Sequence, residues 1–295
     1  WQRKVLRLAI KLHMIERFDI VHQLNMVGFR EPGYLNKLHL PTVWGPIGGL
    51  ENTPLELFST MPMSAKLRFF SRNVINSYQK RFQRRSASYA KGKRTEVLYA
   101  TEGNQREGQK NWMVHGLVLS EIGMKSIPVG TDNLQTVKID RPLKIVFSGQ
   151  LIDRKNLRWL IDLLVADASN DWTLEIIGDG PKKRVLQKIA KSKKVDDRIV
   201  WHGRVSRLKS LELIKASDVM LIASVSELTS TVAVEAISLG IPLIGFNSFG
   251  YGEVIKASGG IAVELASRDK MIKDFVNGIR MFRDNDFYQK SSLAA

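Results

Sequence analysis

Short apolar runs alternate with amphipathic segments of helical period throughout the second half of the chain. One such segment carries Leu157, Leu160, Ile161 and Leu164 on a single face. Strands that alternate with helices form βαβ units, in which neighbouring strands run parallel. The pattern therefore predicts an α/β fold with a parallel sheet, whose ligands bind beyond the carboxyl ends of the strands. The runs predicted as strands are residues 144–148, 174–177, 199–201, 219–223, 243–246 and 261–263.

The first half is less regular and begins with a predicted helix over residues 5–15. Its predicted strands are residues 18–22, 41–44 and 96–101. These strands are too few for a complete doubly wound domain, so we expect its opening βα units to lie outside this sequence. We place a partial N-terminal domain at residues 1–139 and a C-terminal domain at residues 140–295, with a linker over residues 128–142.

The composition limits the partners of the chain. A formal net charge of +16 favours an anionic partner, such as a nucleoside diphosphate, an acidic membrane face, an acidic glycan or nucleic acid. Cysteine is absent, which excludes disulfides and thiolate chemistry and is typical of a reducing compartment. The sequence contains no apolar run long enough to predict a transmembrane helix.

Two carboxylates, Glu227 and Glu235, lie eight positions apart around the predicted start of a helix. Ser230 and Thr231, between them, belong to a cluster of residue types that cap helices. A helix that starts after a strand presents free backbone amides and the positive end of its dipole to an anion. Flanking carboxylates do not suit a bare phosphate, but they suit the hydroxyls of a sugar or ribose attached to one. The pattern therefore favours a phosphorylated sugar or a nucleotide as the ligand.

Residues 66–94 are strongly basic and contain no acidic residue. Leu67, Phe70, Val74, Tyr78 and Phe82 form an apolar stripe at helical spacing within this segment. One interpretation is a helix that lies on an anionic membrane surface. The alternative is a solvated basic helix whose stripe packs on its own domain. The basic residues are Lys66, Arg68, Arg72, Lys80, Arg81, Arg84, Arg85, Lys91, Lys93 and Arg94.

Several motifs, taken together and in this order, resemble those of family 4 glycosyltransferases, which have the GT-B fold of two Rossmann-like domains. The motifs are Phe147-Ser148-Gly149 through to Arg154-Lys155-Asn156, Ile177-Gly178-Asp179-Gly180-Pro181, Val200-Trp201-His202-Gly203-Arg204-Val205, and the Glu227 and Glu235 pair. Residues 18–22, residues 41–49 and the stretch from Pro62 onward resemble the later part of the family's acceptor domain. The likeness covers roughly residues 18–265.

The resemblance implies a role for each matching residue. Arg154 and Lys155 neutralise the diphosphate of the donor, and Glu227 orients the donor sugar; these are the catalytic candidates. Glu235 accepts hydrogen bonds from the ribose. The other donor-binding candidates are Gly149, Gly178, Gly180, His202, Arg204, Ser230 and Thr231, and the acceptor-side candidates are His22, Gly48 and Gly49. Gly178 and Gly180 are also needed for turn geometry alone, and a structural role is the alternative for His22, His202 and Arg204.

The activity that the resemblance implies is transfer of a sugar with retention of anomeric configuration. The implied donor is a nucleoside-diphosphate sugar, with UDP-sugar as the first choice, and the implied acceptor is a glycan or lipid-linked glycan of a surface polysaccharide. The implied location is the cytoplasm, at the inner face of the membrane. No metal or cofactor is expected, because Asp284-Asn285-Asp286 lies in a polar tail and no His or Cys cluster indicates zinc.

Departures from the family pattern leave other functions open. Gln150 stands where the family often has Arg, and Thr229 and Ser230 stand where it often has Phe and Gly. A non-catalytic GT-B subunit that binds a partner or glycan is therefore the alternative. The family's glycine-rich loop after its first strand is not in this sequence, so nucleotide binding without turnover is an alternative for this chain. Nucleic acid is not expected as a partner, because aromatic residues for base stacking are sparse.

Overall fold

A computed structural model describes residues 1–24, 28–123, 141–167, 169 and 171–295. The chain divides into two compact units. The first holds Trp1–Thr53 and Arg68–Gly123, and the second holds Pro54–Leu67 together with the described residues from Arg141 to Ala295. The boundary predicted between residues 139 and 140, and residues 128–140 of the predicted linker, lie outside the described residues.

The first unit is built on a parallel sheet. Its strands are β1 (Val21–Gln23), β2 (Thr42–Ile47), β3 (Thr95–Tyr99) and β4 (Leu117–Val118). They lie in the order β1-β2-β3-β4, and each neighbouring pair is parallel. Its helices are α1 (Gln2–Glu16), α2 (Met63–Phe82), which belongs to this unit from Arg68 onward, α3 (Arg84–Ala90) and α4 (Glu102–Trp112).

Aromatic side chains fill the core of the first unit. Trp44 of β2 is fully buried, stacks on Trp112 of α4 at a centroid distance of 6.1 Å, and meets Tyr89 of α3 edge-on at 5.1 Å. Such large rings remove a great deal of apolar surface from water. They therefore hold α3 and α4 against the sheet.

The second unit is a larger parallel sheet flanked by helices. Its strands are β5 (Leu143–Ser148), β6 (Trp172–Ile177), β7 (Ile199–Gly203), β8 (Val219–Ile222), β9 (Leu243–Phe246) and β10 (Ile261–Val263). Its helices are α5 (Leu157–Ala166), α6 (Lys183–Ser192), α7 (Arg207–Lys215), α8 (Thr231–Ile237), α9 (Phe249–Ala257), α10 (Arg268–Met281) and α11 (Asn285–Ala294). Short 3-10 helices lie at Leu35–Leu38, Glu56–Thr60, Asp153–Lys155 and Asp196–Arg198 of the chain.

The strand order of the second sheet, β10-β9-β8-β5-β6-β7, identifies where a ligand binds. Within this sheet, β5 is the first strand along the chain, and β6 and β7 follow on one side of it. The chain then crosses to β8, which lies on the other side of β5. The connections after β5 and after β8 therefore leave in opposite directions. A crevice forms at such a point, beyond the carboxyl ends of the two strands.

The predicted α/β fold with a parallel sheet in each half is confirmed. Each predicted strand of the second half is a strand in the structure, with ends that differ by at most two residues. In the first half, β3 ends at Tyr99 because Thr101 caps α4 by accepting a hydrogen bond from the Asn104 amide. β4 was not predicted, since it consists of two exposed residues without a buried face. No helix among the described residues is long and apolar enough to span a membrane.

Candidate active site

Arg154, Lys155 and Glu227 meet at the crossover of the second sheet. Arg154 and Lys155 lie in the 3-10 helix Asp153–Lys155 that follows β5, and Glu227 lies in the loop between β8 and α8. β5 and β8 are hydrogen-bonded neighbours, so their carboxyl ends bring the two loops together. The structure therefore gathers the three predicted catalytic residues where the topology predicts a ligand.

The Glu227 carboxylate is shared by the two basic side chains. Its Oε1 accepts a hydrogen bond from Arg154 Nη1 at 2.8 Å, and its Oε2 accepts one from Lys155 Nζ at 2.5 Å. The Glu227 and Lys155 side chains are 11% and 13% exposed, whereas that of Arg154 is 35% exposed. The low exposure strengthens these charge-assisted bonds, because solvent screens them less.

The Glu227 loop is also fixed through its backbone. Arg154 Nη1 donates to the Ser226 carbonyl at 3.1 Å, and the Val225 amide donates to the Arg154 carbonyl at 2.9 Å. The fully buried Tyr251 of α9 donates its hydroxyl to the Ser224 carbonyl at 2.8 Å. Burial raises the pKa of Tyr251 well above its ordinary value, and the negative charge of Glu227 raises it further. Tyr251 therefore stays a donor at physiological pH.

Asn156 ends the basic loop in an unusual conformation. Its backbone is left-handed, with φ 52° and ψ 36°, which Asn tolerates better than most residues. Its side chain is buried and donates to Thr60 Oγ1 at 2.9 Å. Asn156 thus turns the chain from the basic loop into α5 and sets the direction of Arg154 and Lys155.

The predicted glycines form an interlocked set of turns at the ends of β5, β6 and β7. A Cβ atom on Gly178, whose φ is +135°, would lie 1.9 Å from the carbonyl oxygen of Gly149. The Gly178 amide also donates to the Gly203 carbonyl at 2.8 Å. A Cβ on Gly180 would lie 2.7 Å from the Leu151 carbonyl oxygen. Gly178 and Gly180 therefore have a structural role, whatever else they contact.

Glu235, the predicted ribose partner, lies in α8 and is 12% exposed at its side chain. Its Oε1 pairs with Arg207, the first residue of α7, at 3.1 Å from Nη2 and 3.2 Å from Nε. Sequence reasoning missed Arg207, because no motif links the two helices. Ser230, buried, is the N-cap position of α8, and the exposed Thr231 begins that helix.

His202 and Arg204 have different surroundings. His202 Nε2 lies 2.5 Å from Oε2 of Glu175 on the neighbouring strand β6, and both side chains are mostly buried. This contact gives His202 a structural partner, which was the alternative interpretation. Arg204 is exposed just after β7.

Asp284, from the triplet that resembles a metal motif, caps α11 by accepting from the Phe287 amide at 2.8 Å.

The acceptor-side candidates lie in the first unit. The exposed His22 of β1 contacts the Gly45 carbonyl through Nε2 at 2.9 Å. Gly48 and Gly49 follow β2, and Gly49 has φ +80°, a conformation that favours glycine. A Cβ on Gly49 would meet only ordinary contacts, at 3.6 Å or more.

Side chains of two helices hold the loop that follows Gly49. The Leu50 amide donates to Asn104 Oδ1 of α4 at 2.8 Å. On α2, Asn73 exchanges two hydrogen bonds with the Thr53 backbone, at 2.9 and 2.8 Å, and the buried Asn76 donates to Asn52 Oδ1 at 2.9 Å. Asn76 also donates to the Leu50 carbonyl at 3.3 Å, so both amides satisfy backbone groups that lack a strand partner. The loop is therefore tied to the polar face of α2.

Sequence comparison identifies the group of proteins to which this site belongs. The family described as "Glycosyl transferases group 1" matches residues 131–289, which is more than half of the chain. The chain belongs to this family. Both glutamates, the basic loop and the glycine turns all fall within the part that matches the group 1 glycosyl transferases.

Individual relatives agree with that assignment. The lipopolysaccharide 1,6-galactosyltransferase of Escherichia coli (strain K12) is 33% identical over 104 residues, which are 34% of this chain and 27% of that protein. The chain spans between 22% and 38% of the lengths of the curated relatives that it matches. The matching part is therefore less than half of each of these relatives.

Solved structures show the same fold. The apo form of the lipopolysaccharide outer core galactosyltransferase WaaB has a TM-score of 0.65 at 16% identity. The match covers 98% of this chain and 74% of that one. Anabaena Alr3699/HepE in complex with UDP has a TM-score of 0.65 at 14% identity, covering 96% of this chain and 75% of that one. The predicted GT-B fold is thereby confirmed.

Proposed function

We propose that this protein is a retaining glycosyltransferase that uses a UDP-sugar. The observation that carries the proposal is the convergence of Arg154, Lys155 and Glu227 at the crossover of the second sheet, with Glu235 on the helix that follows. Membership of the group 1 family supports the reaction class. The UDP in the complex of the similar Alr3699/HepE structure supports the choice of base.

The three charges suit a donor diphosphate. Arg154 and Lys155 carry two positive charges and Glu227 one negative charge, so the cluster has a net charge of +1 before a ligand binds. Arg has five N–H donors and Lys has three, so both retain donors for phosphate oxygens after bonding Glu227. The same donors stabilise the charge that develops on the leaving diphosphate. The proposal therefore assigns neutralisation of the diphosphate to these side chains and includes no metal ion.

Glu227 has capacity left for the sugar. A carboxylate offers about four lone-pair sites, and the bonds from Arg154 and Lys155 use only some of them. Sugar hydroxyls are donors that can occupy the rest. Since Arg154 and Lys155 hold both oxygens in place, Glu227 is preorganised to orient the donor sugar rather than to move a proton.

The acceptor in this proposal is a glycan or lipid-linked glycan of a surface polysaccharide, at the cytoplasmic face of the membrane. The similar lipopolysaccharide 1,6-galactosyltransferase of Escherichia coli supports this acceptor class. The first unit, with His22, Gly48 and Gly49, is the part proposed to bind it. The activity is proposed for the whole protein, since the chain covers only part of each relative that it matches.

Calorimetric titration with UDP, GDP and ADP tests the donor site. We expect UDP to bind and Glu235→Ala to weaken binding by about tenfold or more, because a charged acceptor for the ribose hydroxyls is lost. Glu212→Ala is the matched control, since Glu212 is an exposed glutamate of α7 that pairs with Lys209. A folded protein that binds none of the nucleotides contradicts the proposal, as does equal weakening by both variants.

Glu227→Gln separates a catalytic protein from a non-catalytic subunit. The substitution removes a negative charge beside the diphosphate site, so UDP affinity should hold or rise. Transfer from the UDP-sugar should fall by about a hundredfold or more, because the donor sugar loses its orienting carboxylate. If the wild-type protein transfers sugar and Glu227→Gln keeps the full rate, the role assigned to Glu227 is wrong. That result would favour the hypothesis of a non-catalytic subunit.

A further inference from the structure

Helix α2 has two opposite faces, and its inner face carries polar side chains together with Ala65 and Phe69. Phe69, Asn76 and Lys80 are 3%, 4% and 5% exposed. Lys80 pairs with Glu107 of α4, and its carbonyl accepts from the indole Nε1 of Trp112. Asn73 and Asn76 hold the loop after β2. This side of the helix is therefore committed to the first unit.

The outer face of α2 is apolar and has no cover among the described residues. We call its members the α2 stripe, each of them 55% to 66% exposed: Leu67, Phe70, Val74, Ile75, Tyr78 and Phe82. The interpretation in which the stripe packs on its own domain is therefore wrong. Tyr78 and Phe82 contact each other at a ring-centroid distance of 4.8 Å. Contiguous exposed apolar groups of this kind mark interaction surfaces.

Positive charge surrounds the α2 stripe. Arg68 and Arg72 are exposed along one edge of the helix and Arg81 along the other. Arg84, Lys91, Lys93 and Arg94 continue the exposed positive surface beyond the helix. Residues 57–95 contain no acidic residue. The surface thus combines an apolar centre with a rim of one sign of charge.

We propose that the α2 stripe lies in the interface of an anionic membrane, with the arginines on its edges contacting lipid headgroups. An apolar face inserts among acyl chains while flanking cations bind anionic headgroups. A second copy of the chain suits the surface less, because a symmetric contact would bring the like charges of both rims together. This inference rests on the proposed function, because that function places a lipid-linked acceptor at the same membrane.

Flotation with lipid vesicles tests the membrane surface. The protein should float with phosphatidylcholine vesicles that contain phosphatidylglycerol and remain unbound with phosphatidylcholine alone. Raising the salt concentration should weaken binding, because it screens the arginines. Tyr78→Ser combined with Phe82→Ser should lower the partition coefficient by about tenfold or more, and Arg81→Gln with Arg84→Gln by a similar factor.

A matched control and a second pair of variants keep the test decisive. Leu293 and Lys290 of α11 are also exposed, so Leu293→Ser with Lys290→Gln should leave flotation unchanged. Circular dichroism checks that each variant is folded, and Phe70→Ser with Val74→Ser replaces the first stripe variant if that one is not. UDP titration of the same samples reads the donor site separately, so loss of one property is distinguishable from loss of the other.

Several results would overturn the proposal. One is a folded wild-type protein that does not bind the anionic vesicles, and another is equal binding by the stripe variants. A third is self-association that the stripe variants abolish while vesicle binding is absent, which would make a second copy the occupant. Binding to RNA that survives the stripe substitutions, without vesicle binding, would assign the basic rim to nucleic acid instead.

Discussion

The Tyr251 hydroxyl donates a 2.8 Å hydrogen bond to the Ser224 carbonyl, three residues before Glu227. Both residues are buried, at 0% and 1% exposure. The loop that carries Glu227 is therefore held by a buried aromatic side chain of helix α9.

Tyr251→Phe should destabilise the second unit by about 1–3 kcal/mol, because the Ser224 carbonyl loses its buried donor. UDP affinity should fall modestly as the Glu227 loop loosens. Thermal unfolding and calorimetric titration measure the two effects. Tyr78→Phe is the control, since the exposed Tyr78 hydroxyl is expected to contribute little. Equal stability of the two variants would contradict this account of the loop.

Gly178→Ala should prevent the glycine turns from forming, because the new Cβ would lie 1.9 Å from the Gly149 carbonyl oxygen. The backbone also has φ +135°, which alanine rarely adopts. We expect a loss of several kcal/mol of unfolding free energy, or an insoluble protein. Gly123→Ala is the control, since nothing lies within 4 Å of the position that its new methyl group would take. Denaturant unfolding of both variants measures the difference in stability. A stable Gly178→Ala protein that binds UDP would refute the predicted disruption of the turns.

Asn156→Ala should destabilise the protein more than Asn156→Gly. Both substitutions remove the hydrogen bond to Thr60, so this loss cancels in the comparison. Only alanine is strained at φ 52°, by about 1–2 kcal/mol. The difference in unfolding free energy between the two variants measures that strain. If alanine proves as stable as glycine, the left-handed turn does not constrain the basic loop.

Stability should fall steeply at alkaline pH. Burial raises the pKa of Tyr89 and of Tyr99 to about 12, from an ordinary value of 10.0. The folded protein therefore holds these protons more tightly than the unfolded chain. The resulting stabilisation is complete below about pH 10 and is lost as the pH rises from 10 towards 12, by up to about 1.4 kcal/mol per pH unit for each tyrosine.

Urea unfolding at a series of pH values checks this prediction, with Tyr99→Phe as the informative variant. The variant lacks one buried phenol with a raised pKa, so its unfolding free energy should decline less steeply above about pH 10. All other ionisable groups are common to both proteins, so the comparison cancels their contribution. Identical slopes for the variant and the wild type would show that Tyr99 does not couple folding to pH.

The strands of the second unit could be predicted because each contains a short apolar run with polar residues at its ends. The same logic placed Arg154, Lys155 and Glu227 at strand ends, where the topology brings them together. The supporting contacts from other helices, Tyr251 to the Ser224 carbonyl and Arg207 to Glu235, could not be predicted. Tyr251 and Arg207 reach the site from other helices, and no local pattern encodes a contact between elements distant in sequence.

The basic segment, residues 66–94, shows more clearly what helical periodicity cannot predict. Spacing predicted that Phe70, Val74 and Tyr78 share one face of a helix, and they do. Spacing does not say which face meets the protein. That depends on Asn73 and Asn76, whose amides bond the backbone of Thr53 and Leu50, which only the folded chain brings near. Polar side chains occupy the inner face because the loop needs donors and acceptors there.

Helix α2 consequently reverses the usual relation between surface and polarity. Polar replacements in its stripe should cost little packing energy, so a screen for expression or yield would select them early. A sequence-design procedure given this backbone would make the same choice. Variants selected in this way would be easier to purify but would lose the proposed binding to the membrane. An assay with water-soluble substrates would not detect that loss.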